Sequence, residues 1–241
     1  MGFLDFFTGG SDPQKNIDKL KRILMDQYRQ AEQRLEAIDD LVRLGTPAAL
    51  DALLERFTLR VSGPTIDERE KQYTYEKISH WGDSAVGPLQ NFIATHDAVY
   101  FPLRALRDLA GDEVAVQTLL KAIADCDPGY HQGLDRLREI VSNLRDFRHD
   151  KVRDALIELL GSRSNEIRFY ALDGLVGYPA DEIAPHLAGR MLDATEGQRV
   201  KALAYELAVE HQVPMATWSD QLAAALPASY ELNSDGVLMR R

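Results

Sequence analysis

The sequence predicts an all-α chain, a right-handed α-solenoid of about six helical hairpins. Three observations predict it. Apolar residues recur at intervals of three and four over most of the length, the spacing that puts them on one face of a helix. An anchor of the form Ala-Leu-x-x-Leu returns with variations along the chain. After each anchor come turn residues, usually Gly, Pro or Asp, and then a second apolar stripe.

The elements follow in order. Residues 1–12 read as an apolar segment and hinge, residues 13–226 as the solenoid with a long N-terminal capping helix, and residues 227–241 as a tail. Phe3, Leu4, Phe6 and Phe7 crowd the first segment, and Thr8-Gly9-Gly10-Ser11 supplies the hinge. This segment either folds back over the open face of the first repeat or serves as a docking segment for a partner. It lacks the Lys and Arg that anionic lipid would attract. Asp12-Pro13 is a helix start, with Asp as N-cap and Pro at the first helical position. From Ile17 to Val42 the apolar spacing holds, as one helix or as two joined near Met25 to Gln30. Lys15, Lys19, Lys21, Arg22 and Arg29 make the opposite face the most basic patch, read as a solvated surface.

The clearest unit runs from Asn165 to Asp193. Ile167, Tyr170, Ala171, Leu172, Leu175 and Val176 form a stripe wide enough to be covered on two sides. Gly177-Tyr178-Pro179 ends it, Gly suiting a left-handed turn, and Asp181 and Glu182 favour the start of a second helix that carries Ile183, Leu187 and Met191. Looser copies stand at Ala37-Ile38, Ile78, Ala105-Leu106, Ile140-Val141 and Ala204, about 33 residues apart on average. Arg60 to Pro64 interrupts the pattern and Asp67 to His80 resumes it; Asn233-Ser234-Asp235-Gly236 reads as a turn in the tail.

Composition narrows the classes. A single cysteine, Cys126, excludes an internal disulfide framework and suits a reducing, cytoplasmic setting. No apolar run approaches a membrane span. The net charge of −10 argues against a phosphate backbone as partner, since that binding needs a basic field, so no nucleic acid is expected. The loop Asp125-Cys126-Asp127-Pro128-Gly129-Tyr130-His131 holds the richest set of reactive groups, but no second Cys and no His pair at metal spacing accompany it. It reads as a structural loop. The scattered histidines 80, 96, 149, 186 and 211 read as loop or capping residues, and neither metal nor cofactor is expected.

Asn165-Glu166-Ile167-Arg168 before Ala171-Leu172, and Ala105-Leu106 leading to Gly111-Asp112, resemble the HEAT-repeat family, in particular its short bacterial form. The likeness covers roughly residues 28 to 226. It implies stacked hairpins whose second helices line a concave face. With the apolar stripes turned inward, Asp51, Gln90, Asn91, Gln117, Lys121, Arg153, Glu158 and Arg190 are the candidate partner-binding residues on that face. They are polar and mixed in sign, which suits a protein or peptide surface. The expected function is therefore a non-enzymatic interaction scaffold. The resemblance leaves two alternatives: a tetrapyrrole-handling, bilin lyase-like protein, and a HEAT-like DNA glycosylase, which would need a basic cleft.

Overall fold

The computed structural model describes residues 13–126 and 131–241. Phe3, Leu4, Phe6, Phe7, the Asp12 cap and most of the 125–131 loop lie outside the described residues. The all-α expectation holds: helices dominate the described chain, and a two-stranded hairpin near the C-terminus is the sheet among them. The chain divides into two compact units, Met1–Thr118 and Leu119–Arg241.

The first unit opens with α1 (Pro13–Leu24) and α2 (Ala31–Leu44), two helices joined over residues 25–30. Ile17, Leu20 and Leu24 are buried, and α1 packs on α2 and on α3 (Pro47–Leu54) as a cap. The turn between α2 and α3 shows why Gly45-Thr46-Pro47 stops one helix and starts another. Gly45 takes a left-handed conformation (φ 62°) and closes α2. The Thr46 hydroxyl accepts from the Ala49 N–H at 3.2 Å, and Pro47 occupies the first turn, where its missing donor costs nothing. After a 3-10 turn at Glu55–Thr58 comes α4 (Pro64–Ile78). It begins earlier than the sequence pattern suggests, because Pro64 itself is the first helical residue. A second 3-10 segment leads to α5 (Val86–Thr95). Then α6 (Tyr100–Ala124) bends at Gly111, whose φ of 82° and ψ of 172° suit glycine alone. Its two arms are the two helices of one hairpin unit, with the turn shrunk to that residue.

In the second unit α7 (His131–Leu144) and α8 (Asp150–Leu159), α9 (Asn165–Gly174) and α10 (Ala180–Leu192), and α11 (Gln198–Glu210) and α12 (Ser219–Ala225) succeed one another. Helix α9 is flanked by α7, α8 and α11, which accounts for its wide apolar stripe. The Ser164 hydroxyl caps it, and the His149 ring caps α8 by accepting from the Lys151 N–H at 3.1 Å. His186 instead lies within α10. Gly177 is not left-handed; it sits in a 3-10 turn. Its lack of a side chain serves another purpose, since an added Cβ would overlap the Arg148 guanidinium.

The sequence anchors form the core. Ala37, Ile38, Leu41, Ile78, Leu106, Ile140, Val141, Ala171, Leu172 and Ala204 are all buried. The tail is ordered as a β-hairpin. Strands β1 (Tyr230–Leu232) and β2 (Leu238–Arg240) pair antiparallel around the Asn233–Gly236 turn and lie against α11, with Tyr230 stacked on Tyr205 at 5.0 Å and Leu238 buried. Among the described residues no helix is long and apolar enough to cross a membrane.

Candidate functional site

The second helices of the pairs carry all eight residues picked out for a binding face, and the structure sorts them into two groups. Asp51 on α3, Asn91 on α5, and Gln117 and Lys121 on the second arm of α6 have exposed side chains, as does Glu158 on α8. Gln117 bonds only within its own helix, to Glu113. Gln90, Arg153 and Arg190 are half-buried and engaged. The Gln90 amide donates to the Thr118 hydroxyl at 3.2 Å. Arg153 pairs with Asp150, Asp154 and, at 2.8 Å, with Glu182 of the next pair. Arg190 reaches Glu196 at 3.1 Å and the Leu160 carbonyl at 3.3 Å. These three hold hairpins to their neighbours rather than facing outward, a role that spacing within one helix cannot reveal.

The same engagement recurs throughout both units. Bonds that join one hairpin to the next span 28 to 36 residues, about one repeat: Arg34 to Glu70, Tyr73 to Asp39, Arg104 to Gln72, Arg145 to Asp173, Arg168 to Glu196. Two of these ties are buried Arg–Glu–Arg clusters. In the first unit the Glu70 carboxylate accepts two bonds from Arg34, at 2.6 and 2.9 Å, and one from Arg56 at 3.1 Å. All three side chains are at most 3% exposed. Arg56 also donates to Asp67 at 2.8 Å and to the Leu59 carbonyl, and Arg34 to the carbonyls of Asp26 and Arg29. In the second unit Glu196 accepts from Arg168 and Arg190, and also from the Gly197 N–H. Both Arg34 and Arg168 stand on the fourth residue of their helix and reach back to the preceding loop. The Glu196 carboxyl is opposed by burial, yet the bonds from Arg168 and Gly197 outweigh that and hold it below the ordinary carboxylate value. The bonds in these clusters tie hairpin to hairpin or helix to loop, and the Arg190 Nε is buried without a hydrogen-bond partner.

The open concavity of the first unit lies between α2 and α4. It encloses about 610 Å³. Ala31, Leu35, Ile66 and Tyr73 supply its apolar floor. Glu32, Glu68 and Glu76 stand exposed along its rim, with Arg69 as the cation among the lining residues. Spacing within α4 alone does not place Glu68, Arg69 and Glu76 on a groove, since the other wall is some thirty residues away. In the same unit the Arg104 guanidinium lies 4.4 Å from the centre of the Tyr75 ring and 5.5 Å from that of Tyr100. These aromatics brace helices: Phe101 beside them is buried and stacks on Phe57.

The family model described as PBS lyase HEAT-like repeat matches residues 33–58. That stretch is the α2–α3 hairpin, where the sequence places its first anchor, so this hairpin is similar to a HEAT-like repeat. The crystal structure of an engineered protein from a structural genomics consortium is similar at 16% identity and a TM-score of 0.39, over 88% of this chain. The chain spans 61% of that protein's length. No curated protein matches.

Proposed function

We propose that this protein is a non-enzymatic interaction scaffold whose second helices present exposed polar side chains to a protein partner. One observation carries the reading. The buried carboxylates and guanidiniums are consumed in tying hairpin to hairpin, whereas Asp51, Asn91, Gln117, Lys121 and Glu158 stand out from helices whose apolar stripes are already buried. Neutral and oppositely charged groups give a partner hydrogen-bonding and charge-matching opportunities, which set specificity and encounter rate more than raw affinity.

The test uses quantitative affinity capture from the native cell with the wild type, an Asp51→Lys/Asn91→Ala variant and a Lys121→Glu/Glu158→Lys variant. The reading expects one partner to be retained by the wild type and depleted by about tenfold in at least one variant, with thermal midpoints unchanged. Equal recovery of every retained protein by all three forms contradicts it. Arg153 is left intact, because reversing it would break the tie to Glu182 and confuse folding with binding.

A second reading, tetrapyrrole handling, is favoured by the PBS lyase description of the family model that matches the α2–α3 hairpin. It expects a saturable shift of the visible absorbance band when a free bilin is titrated with the protein. An unchanged bilin spectrum removes it.

A further inference from the structure

We infer that the groove between α2 and α4 docks a cationic amphipathic helix of a partner protein. The inference extends the scaffold reading, on which it rests for the premise that the ligand is a protein, and places a second surface on the first helices of the hairpins. The walls are two helices running in the same direction, as the successive ties from Arg34 to Glu70 and from Asp39 to Lys77 show. A trough between two such helices takes an apolar helix face through anchors at three- and four-residue spacing. Leu35 and Tyr73 are half-buried in the floor and Ile66 is 44% exposed. Ile66 is thus one of the few large apolar side chains left exposed among the described residues, and it lies in the groove.

Charge selects the occupant. Beneath the floor the cluster of Arg34, Arg56 and Lys71 with Glu70 and Asp67 is cationic, three cations against two anions. The rim is not, with Glu32, Glu68 and Glu76 against Arg69. A segment that brings Lys or Arg along the edges of its apolar face satisfies that rim. Phosphate backbones and anionic lipid surfaces are repelled by it.

The test is fluorescence anisotropy of the full chain with a labelled amphipathic peptide of Leu, Ala and Lys, against the same peptide with Glu for Lys. The Lys peptide is expected to bind the wild type, and the Glu peptide to bind at least about tenfold more weakly. The Glu32→Lys/Glu68→Lys/Glu76→Lys variant is expected to lose about tenfold or more in affinity, and Ile66→Asn to weaken binding as well. A control with the same charge change elsewhere, Asp181→Lys/Glu210→Lys/Asp220→Lys, stays within about twofold. Should the rim reversal unfold the chain, Glu32→Gln/Glu68→Gln/Glu76→Gln gives the same ordering. Equal losses in rim and control variants, or no binding of the Lys peptide to the wild type, overturn the inference. Either outcome leaves the scaffold reading to its own variants at Asp51, Asn91, Lys121 and Glu158.

Discussion

Glu70 is the residue on which the first unit leans hardest. Its carboxylate pairs with two guanidiniums shut away from water, Arg34 and Arg56, the second of which it shares with Asp67. Replacing it with Gln keeps the shape but strands the charge, and breaking such a pair costs about 3–5 kcal/mol. Urea unfolding of Glu70→Gln at neutral pH is expected to show a loss of that size. A change within about 0.5 kcal/mol, the scale of an ordinary surface substitution, would mean the cluster is solvated. Glu196→Gln should cost less, because Arg168 and Arg190 are 13% and 25% exposed and keep part of their hydration. Only part of this was legible beforehand. Arg168 stood out through its place before Ala171-Leu172, whereas Arg34 and Arg56 look like any charged residue on an amphipathic helix. Their partner is set by which hairpin stacks next, information that lies in three dimensions.

At the scale of elements, glycine and the tail decide the most. Nothing lies near a Cβ built on Gly111, so Gly111→Ala isolates the cost of the backbone conformation, about 1–3 kcal/mol. The measurement is again an unfolding free energy, and an unchanged value would show that α6 straightens without penalty. The sequence marked Gly111-Asp112 as a turn, and it is one, though no loop surrounds it. Reading Gly177 the same way failed, because a glycine that makes room for Arg148 looks identical in sequence to one that turns the chain. The C-terminal hairpin was half legible. Asn233 to Gly236 announced the turn, and the alternation of Tyr230 and Leu232 with Leu238 could have announced the strands. Their value came from α11, whose Tyr205 and Ala208 need a lid. Leu238→Ala is expected to cost about 2–5 kcal/mol, the range for a buried leucine.

Across the whole molecule, hairpin succession was the most legible property, because burial at each anchor depends on spacing within a helix and spacing is written in the chain. The polar ties between hairpins add an acid sensitivity. Burial opposes ionisation of Asp39, Asp67 and Glu196. The bonds from Lys77 and Tyr73, from Lys71 and Arg56, and from Arg168 and Gly197 respectively outweigh it, so all three lie below their ordinary values. Carboxyls lowered in the native state contribute stability that is complete above the ordinary values of 3.8 and 4.5 and is lost as pH falls through the lowered ones. The thermal midpoint is therefore expected to hold from neutral pH down to about 5 on account of these groups and then to fall, with a shallower fall in Glu196→Gln. Identical acid profiles for the two proteins would contradict the assignment.

The most direct test of the scaffold account is site-specific photocrosslinking in the native cell, with the reactive residue placed in turn at Asn91, at Lys121 and, as a control away from both proposed surfaces, at Glu210. The account predicts that Asn91 or Lys121 yields a discrete adduct with one protein while Glu210 does not. Adducts from Glu210 alone, or the same adducts from all three positions, would contradict it.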